Sequence, residues 1–277
     1  WVGDPDEEGY MGKIWELSLG GANMIYLSLK LLEYEKIRTD RIANFLLIEE
    51  PEAHIHTHIQ KTLFDNVQTN KTQVIISTHS THISSVSRIS SVNILSRANK
   101  QTLVYQPANN LDDEYITRAE RYLDAIRSNL LFAKGVVLVE GDAEQILIPQ
   151  MFKKVFGISL DEIGVSLVNI GSTGFKNVAR LFHNDRIQKN CAILTDLDAS
   201  IVGLPANEAD DSNYEKHCRA SQASGAERKI KLDKFCKTNT FLNPFYSDYT
   251  FEVDLLMNEN SHEYVKSLDE IFKQQTA

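Results

Sequence analysis

The 277-residue sequence contains no apolar run that approaches the roughly 20 residues a membrane helix needs, so we expect a soluble protein without a membrane partner. It has only three cysteines, Cys191, Cys218 and Cys236, whose spacing fits neither a zinc site nor an even set of disulfides. This scarcity predicts a reducing, cytoplasmic environment. The formal net charge of −9 argues against a generally basic nucleic-acid binder. It does not exclude a site where bound cations reverse a local acidic field.

A phosphate-binding loop of the form Gly-x-x-x-x-Gly-Lys-Ser/Thr is also missing. The sequence begins with Trp1 instead of methionine, so we expect either a fragment or a chain whose upstream residues are not shown. The polypeptide as given is therefore expected not to hydrolyse ATP.

Two apolar runs that are typical of buried strands, 136–139 and 191–194, are each followed by a pair of carboxylates. These belong to Glu140, Glu144, Asp196 and Asp198. Helical spacing over 143–152 predicts the first pair on one helix face, and an extended segment would point the second pair the same way. Two such charges about 4 Å apart cost roughly 4 kcal/mol, so the group must bind protons or cations. Oxygen ligands of this kind suit Mg²⁺ or Mn²⁺.

A glycine-rich stretch, 171–174, follows a further predicted strand at 165–170. Together with the two acidic pairs, this arrangement resembles the Toprim fold of topoisomerases, primases and some nucleases. Alternation over 250–256 predicts Glu252 and Asp254 on one side of a third acidic element. That element resembles the Thr-x-Glu-x-Asp-Leu stretch that follows the Asp-x-Asp motif in overcoming-lysogenization-defect (OLD) family nucleases.

The first hundred residues carry motifs of another kind. One apolar run, 45–48, ends at Glu49 and Glu50, and a second, 74–76, ends shortly before His79. Paired carboxylates after a strand are what an NTPase uses to bind Mg²⁺ and to orient water. This segment resembles the Walker B and switch-histidine portion of ABC-type ATPases, as found in OLD, RecF and SMC-like proteins. The resemblance implies a metal role for Glu49, a water role for Glu50 and γ-phosphate sensing by His79.

Ser18 and Gly20 lie before an apolar helix at 24–34. They resemble the ABC signature loop, which contacts nucleotide on a partner subunit, because a helix N-terminus offers unpaired N–H groups to an anion. The alternative is an ordinary serine N-cap.

The fold class we expect is α/β, with the C-terminal part of an ABC-type ATPase domain followed by a Toprim domain with a Rossmann-like parallel sheet. We predict a partial ATPase domain at residues 1–106, a helical connector at 107–132 and a Toprim nuclease domain at 133–277. Residues 203–227, rich in Ala, Asn, Asp and Ser, are predicted to be a mobile insertion.

This layout resembles the OLD family, which includes Gabija-type and retron-associated antiphage effectors. The resemblance implies a cytoplasmic DNA endonuclease or nickase with two divalent cations, Mg²⁺ or Mn²⁺, and ATP in the complete ATPase domain. It implies dimers or larger homo-oligomers through the ATPase domains, with a reverse transcriptase and its small DNA product, or another defence subunit, as possible partners. The implied catalytic and metal-binding residues are Glu140, Glu144, Asp196, Asp198 and Glu252, with Asp254 as a further metal ligand.

Other functions stay open from the sequence. A RecF-like scaffold ATPase would keep the acids only for structure. A topoisomerase would need a nucleophilic tyrosine, and nothing around Tyr246 or Tyr249 indicates one, while a primase would need a zinc element that the cysteines do not supply. The residues that could contact phosphate, or could equally be solvated, are Arg180, Arg186, Lys189 and the run 228–231.

Overall fold

The computed structural model describes residues 2–3, 11–13, 16–37, 44–57, 60, 72–98, 100–123 and 127–273. Two compact units make up the chain. The first comprises Trp1–Val92 with Leu123–Ser128, and the second comprises Asn93–Tyr122 with Asn129–Ala277. Both contain helices and strands, so the predicted α/β class is confirmed.

The first unit contains β1 (Val2–Gly3), β2 (Met11–Gly12), α1 (Leu19–Ile37), β3 (Asn44–Glu49), β4 (Thr72–Ser77), α2 (Thr81–Val86) and a 3₁₀ turn (Ile89–Ser91). Strands β3 and β4 pair in parallel, with Leu46 opposite Val74. The predicted strands at 45–48 and 74–76 are confirmed, and so is the helix after the serine and glycines.

The β3–β4 pair has one half-buried face and one exposed face, because successive side chains of a strand point to opposite sides. The exposed face carries Phe45, Leu47 and Ile75. Parallel sheets are normally covered on both faces, so this unit leaves an apolar surface exposed.

The second unit contains β5 (Ile94–Ala98), β6 (Gln101–Tyr105), α3 (Asp113–Glu120), β7 (Gly135–Val139), α4 (Asp142–Phe156), α5 (Leu160–Ile163), β8 (Val165–Asn169), α6 (Lys176–Ala179), β9 (Cys191–Asp196), a 3₁₀ turn (Glu208–Asp210), α7 (Asn213–Cys236), β10 (Leu242–Ser247), α8 (Phe251–Leu255), a π-type turn (Leu256–Asn260) and α9 (Ser261–Lys273). A further 3₁₀ turn (Arg127–Leu131) begins in the first unit and ends in the second. Within the predicted connector at 107–132, helix α3 ends at Glu120, and a separate 3₁₀ turn begins at Arg127.

A parallel four-stranded sheet in the order β10-β9-β7-β8 forms the centre of the second unit. After β7 the chain adds β8 on one side and then β9 on the other, so the strand order reverses at β7. In open α/β sheets, ligands bind outside the carboxyl ends of the strands at such a reversal. The fold therefore directs attention to the ends of β7 and β9.

The predicted mobile insertion at 203–227 is wrong, because most of it lies in the 24-residue helix α7. Ser212 and Glu215 form a capping box at its start, with Ser212 N–H donating to Glu215 at 2.7 Å and Glu215 N–H donating back at 3.3 Å. Arg219 then binds the buried Asp211 through two hydrogen bonds of 2.8 and 2.9 Å. These contacts fix the helix where its polar composition had indicated disorder.

Hairpin β5–β6 belongs to the second compact unit, whereas the sequence placed it with the ATPase segment. The domain limits themselves stay a prediction. Across the described ranges, no helix combines the length and the apolar character needed to cross a bilayer.

Candidate active site

Glu140 and Thr195 lie side by side because of the register between β7 and β9. Leu138 is opposite Ile193, so two residues further on Glu140 is level with Thr195. The Thr195 hydroxyl donates a hydrogen bond to Glu140 Oε1, and the Asp196 backbone N–H donates to the same oxygen at 3.1 Å. The two strand ends thus bring their acids together. Thr195 was not among the predicted site residues, although it directly precedes Asp196.

Asp196 is a carboxylate of this edge with a raised pKa. Its Oδ2 accepts a hydrogen bond of 3.1 Å from the Phe251 backbone N–H. Burial raises the pKa of Asp196 to about 7, and the hydrogen bond from Phe251 partly opposes the rise. Neighbouring negative charge raises it further, from Glu140, Glu144 and Asp198. The four predicted acids therefore act on one another electrostatically.

Glu144 lies in the first turn of α4 and is 6% exposed. A carboxylate is seldom this buried unless it is paired or binds a cation. Beside it, Asp142 accepts a hydrogen bond of 2.7 Å from Asn169, and Asn169 accepts one of 2.6 Å from Gly171 N–H. The glycine-rich stretch is thereby held at the start of α4, next to the acids.

Asp198 lies beyond the end of β9, outside the regular strand on which its alignment with Asp196 was predicted. Its φ of 54° lies in the left-handed region, so the chain turns after β9. Its Oδ2 accepts a hydrogen bond of 2.8 Å from Arg228, whose Nη2 also donates to the Asp196 carbonyl oxygen. Arg228 Nε lies 4.0 Å from Glu140 Oε1. A single guanidinium therefore contacts three parts of the acidic group.

Glu252 and Asp254 were predicted to share one side of an alternating segment, and that part of the prediction is wrong. They lie in helix α8, capped by Thr250, whose side chain accepts from Val253 N–H at 3.4 Å. Residues two apart on a helix point in nearly opposite directions. The segment nevertheless reaches the site through its backbone at Phe251, and the metal roles of the two acids stay predictions.

A divalent cation is the group these acids imply. Their donors are all carboxylate oxygens, which suit Mg²⁺ or Mn²⁺. Within the residues that the structure describes, no three His, Cys, Asp or Glu side chains are already arranged to hold a metal ion. Glu140 and Asp198 are instead engaged by Thr195 and Arg228. The donor chemistry fits a divalent ion, because Glu140 Oε2 and Asp198 Oδ1 are not the oxygens that accept these hydrogen bonds.

In the first unit, the predicted Walker B acids lie at the carboxyl end of β3. Glu49 is its last residue, opposite Ser77, and Glu50 has a φ of 42°, in the left-handed region that non-glycine residues seldom adopt. The Glu50 N–H donates to the Ser77 carbonyl at 2.9 Å. His79 Nδ1 lies 3.5 Å from Glu50 Oε1, so the predicted water-orienting acid and the predicted sensor are neighbours.

Glu52 is a buried carboxylate that the sequence did not single out. Its Oε1 accepts hydrogen bonds from the Thr78 hydroxyl at 2.6 Å and from the His79 N–H at 3.0 Å, and His79 Nδ1 is 3.5 Å away. Glu52 therefore holds the loop that carries His79. Its position three residues after Glu49 could have indicated from the sequence that Glu52 belongs to this site.

Ser18 and Gly20 begin helix α1. The Ser18 hydroxyl accepts from Gly21 N–H at 3.2 Å, as a serine N-cap does. A side chain at Gly20 would collide with the His54 carbonyl oxygen. These contacts give both residues a structural role, and contact with nucleotide stays a prediction.

Two of the candidate phosphate-binding cations are used inside the second unit. Arg186 donates to the carbonyls of Arg180 at 2.7 Å and Asn109 at 3.0 Å. Lys189 donates to the Leu131 carbonyl at 3.2 Å, and burial lowers its pKa. Both side chains support the fold at these points.

Comparison with known proteins adds two family matches. A family model described as "Overcoming lysogenization defect protein-like, TOPRIM domain" matches residues 131–198, which include all four acids of the β7 and β9 ends. One described as "AAA ATPase domain" matches residues 8–84. The predicted order, with an ATPase segment followed by a Toprim domain, is confirmed.

Endonuclease GajA of Bacillus cereus (strain HuB5-5) is 28% identical over 219 residues, a match that covers 66% of this chain and 31% of GajA. The chain thus spans about a third of that relative. Two solved structures are also similar, the C-terminal regions of the OLD proteins of Burkholderia pseudomallei and Xanthomonas campestris pv. campestris. Each is 25% identical with a TM-score of 0.31; they cover 48% and 49% of this chain, and 63% and 60% of their own.

Proposed function

We propose that the chain is an OLD family DNA endonuclease or nickase dependent on divalent metal, because an AAA-type ATPase segment precedes an OLD-like Toprim domain in it. The observation that carries the proposal is the meeting of Glu140 with Asp196 at the reversal of strand order, where burial, and then the negative charges of the neighbouring acids, raise the pKa of Asp196. Such crowding is relieved by cations. The name of the relative GajA, an endonuclease, supports the same reaction class.

In this proposal Glu140, Asp196 and Asp198 would hold the metal ions, and Glu144 and Glu252 would complete the second site, with Asp254 as a further ligand. Divalent ions bound there would supply an activated water and stabilisation of the leaving oxygen of the phosphodiester. The protein's own part is orientation. Thr195 and the Asp196 N–H aim Glu140, and the Phe251 N–H fixes Asp196.

The proposal extends to regulation and cellular role. Glu49, Glu50 and His79, with Ser18 and Gly20, would act on ATP in a complete ATPase domain, and ATP-dependent dimers or larger oligomers would control cutting. The enzyme would act in the cytoplasm in antiphage defence, alone or with a reverse transcriptase and its small DNA product or another defence subunit. The proximity of His79 to Glu50 supports the ATPase part.

A plasmid assay tests the nuclease directly. Purified protein is incubated with supercoiled plasmid and Mg²⁺ or Mn²⁺, and nicked and linear products are separated on a gel. We expect cutting by the wild type and losses of at least about 100-fold for Glu140→Gln and Asp196→Asn, since each removes a charge needed to hold metal. Asp161→Asn, at an exposed carboxylate of α5, is the matched control and should cut normally.

Equal cutting by the wild type and both site variants would refute the assignment. If neither the wild type nor any variant cuts the plasmid while ATP hydrolysis is retained, the result would support a RecF-like scaffold instead. The engagement of Asp198 by Arg228 is the feature that favours this second candidate. A topoisomerase is disfavoured because the Tyr246 hydroxyl donates to Asp233 at 2.6 Å, and burial with this acid raises the pKa of Tyr246.

A further inference from the structure

Arg180 is held in place by aromatic rings. Its guanidinium carbon lies 3.9 Å from the centre of the Tyr115 ring and 5.3 Å from that of Phe235. In the part of the chain that the structure describes, this guanidinium makes no hydrogen bond or ion pair, in contrast to Arg186 and Arg228. Stacking fixes an arginine side chain while leaving its fork of N–H donors available to an anion.

Lys176 adds a second positive charge beside Arg180. Its ammonium lies 5.6 Å from the centre of the Phe235 ring and donates to the Lys231 carbonyl at 3.0 Å. Partial burial lowers the pKa of Lys176, and the positive charges of Arg180 and Lys231 lower it further. Like charges held this close are relieved by an anion.

Helix α7 links this basic pair to the acidic site. Arg228 contacts Asp198 from one point of the helix, and Phe235, seven residues later, contacts the basic pair. Positions seven apart lie on the same face of a helix and are separated by about 10 Å along its axis. Helix α7 therefore brings the acidic edge and the basic pair to one face of the helix.

We propose that Arg180 and Lys176 form a subsite for a phosphate of the DNA backbone other than the phosphate that is cut. The inference rests on the proposed nuclease function and specifies where its substrate lies. Arg180 supplies planar donors held between Tyr115 and Phe235, and Lys176 supplies a point charge. The subsite binds backbone phosphate, so it contributes to affinity equally for all base sequences.

Binding of a short fluorescein-labelled DNA duplex, followed by fluorescence anisotropy in EDTA over a series of KCl concentrations, tests the subsite. For Arg180→Gln and for Lys176→Gln we expect affinity to fall about three- to tenfold. The slope of log K against log salt should drop by about 0.9 for each lost contact, and the loss should not depend on sequence. In the plasmid assay KM should rise while kcat stays unchanged.

Three further variants show whether stacking matters. Arg97→Gln, at an exposed arginine of β5 outside this cluster, should bind DNA like the wild type. Arg180→Lys keeps the charge and should keep the salt slope while losing part of the affinity. Tyr115→Leu changes no charge, yet it should also weaken binding because Arg180 is no longer held. Thermal unfolding of each variant confirms that it folds.

Wild-type affinity and salt slope in folded Arg180→Gln and Lys176→Gln proteins would overturn the subsite, and normal plasmid cutting in the same samples would leave the nuclease function intact. A wild-type protein that neither binds nor cuts DNA would overturn both.

Discussion

Asp196 should make the metal-free protein less stable as pH rises, and this can be measured without any assay of activity. Its pKa is raised to about 7 in the folded protein, from an ordinary value of 3.8. The folded state therefore binds a proton that the unfolded state has already lost between these two values. The stabilising contribution is fully present below about pH 4 and disappears as pH rises through about 7.

The size of the effect can be worked out from the same shift. In a fully buried group it would correspond to roughly 4 kcal/mol. Asp196 is only half-buried, so solvent screening reduces the value, and we expect about 1–2 kcal/mol. For a protein of this size that is a change of about 2–4 °C in Tm.

Asp196→Asn isolates this contribution, because asparagine keeps an oxygen that can accept from the Phe251 N–H but cannot ionise. In EDTA, the wild type should lose about 1–2 kcal/mol of unfolding free energy relative to the variant between about pH 5 and about pH 8. Added Mg²⁺ should restore the wild type and leave the variant unchanged, since ligand binding to the folded state stabilises it. Thermal and urea unfolding provide the measurement, with Asp161→Asn as control.

A constant difference between wild type and Asp196→Asn across this pH range would refute the reasoning. It would mean that the carboxylates at the ends of β7 and β9 do not perturb one another as their positions indicate.

Two further substitutions probe how α7 meets the site. Gly225→Ala should destabilise the protein by about 1–3 kcal/mol in thermal unfolding, because its Cβ would collide with the Leu197 carbonyl, whereas Gly203→Ala, with open space around it, should be neutral. Arg228→Met should lower the stability of the metal-free protein by about 1–3 kcal/mol by leaving Asp198 without its partner, and normal unfolding of this variant in EDTA would contradict the ion pair.

The strands and the position of the acids could be predicted because they depend on local pattern. β7 and β9 are short apolar runs with turn residues or acids after them, and neighbouring parallel strands place the residues beyond their carboxyl ends at one edge of the sheet. The same logic correctly gave α4 after Glu140. The conformation of the third acidic element was not predictable from alternation alone, since Thr250 caps a helix there.

The helix α7 was missed although a signal was present. Ser212 followed three residues later by Glu215 is a capping box, and this motif predicts a helix start more specifically than polar composition predicts disorder. Its contacts with the site could not have been read from the sequence. They depend on a long-range approach of Gly225 to the Leu197 carbonyl, between residues far apart in the chain.

Helix α7 thus determines the charge balance of the acidic edge and does more than pack against the sheet. Because Gly225 allows the helix to touch the turn after β9, Arg228 is delivered to Asp198 and to the Asp196 carbonyl by a rigid element. In the metal-free protein this guanidinium balances part of the negative charge of the edge, since it donates to Asp198 and lies 4.0 Å from Glu140 Oε1. A divalent ion offers the same compensation to the same carboxylates. Metal binding and the Arg228 contact are therefore expected to compete for Asp198, which links the position of α7 to the state of the site.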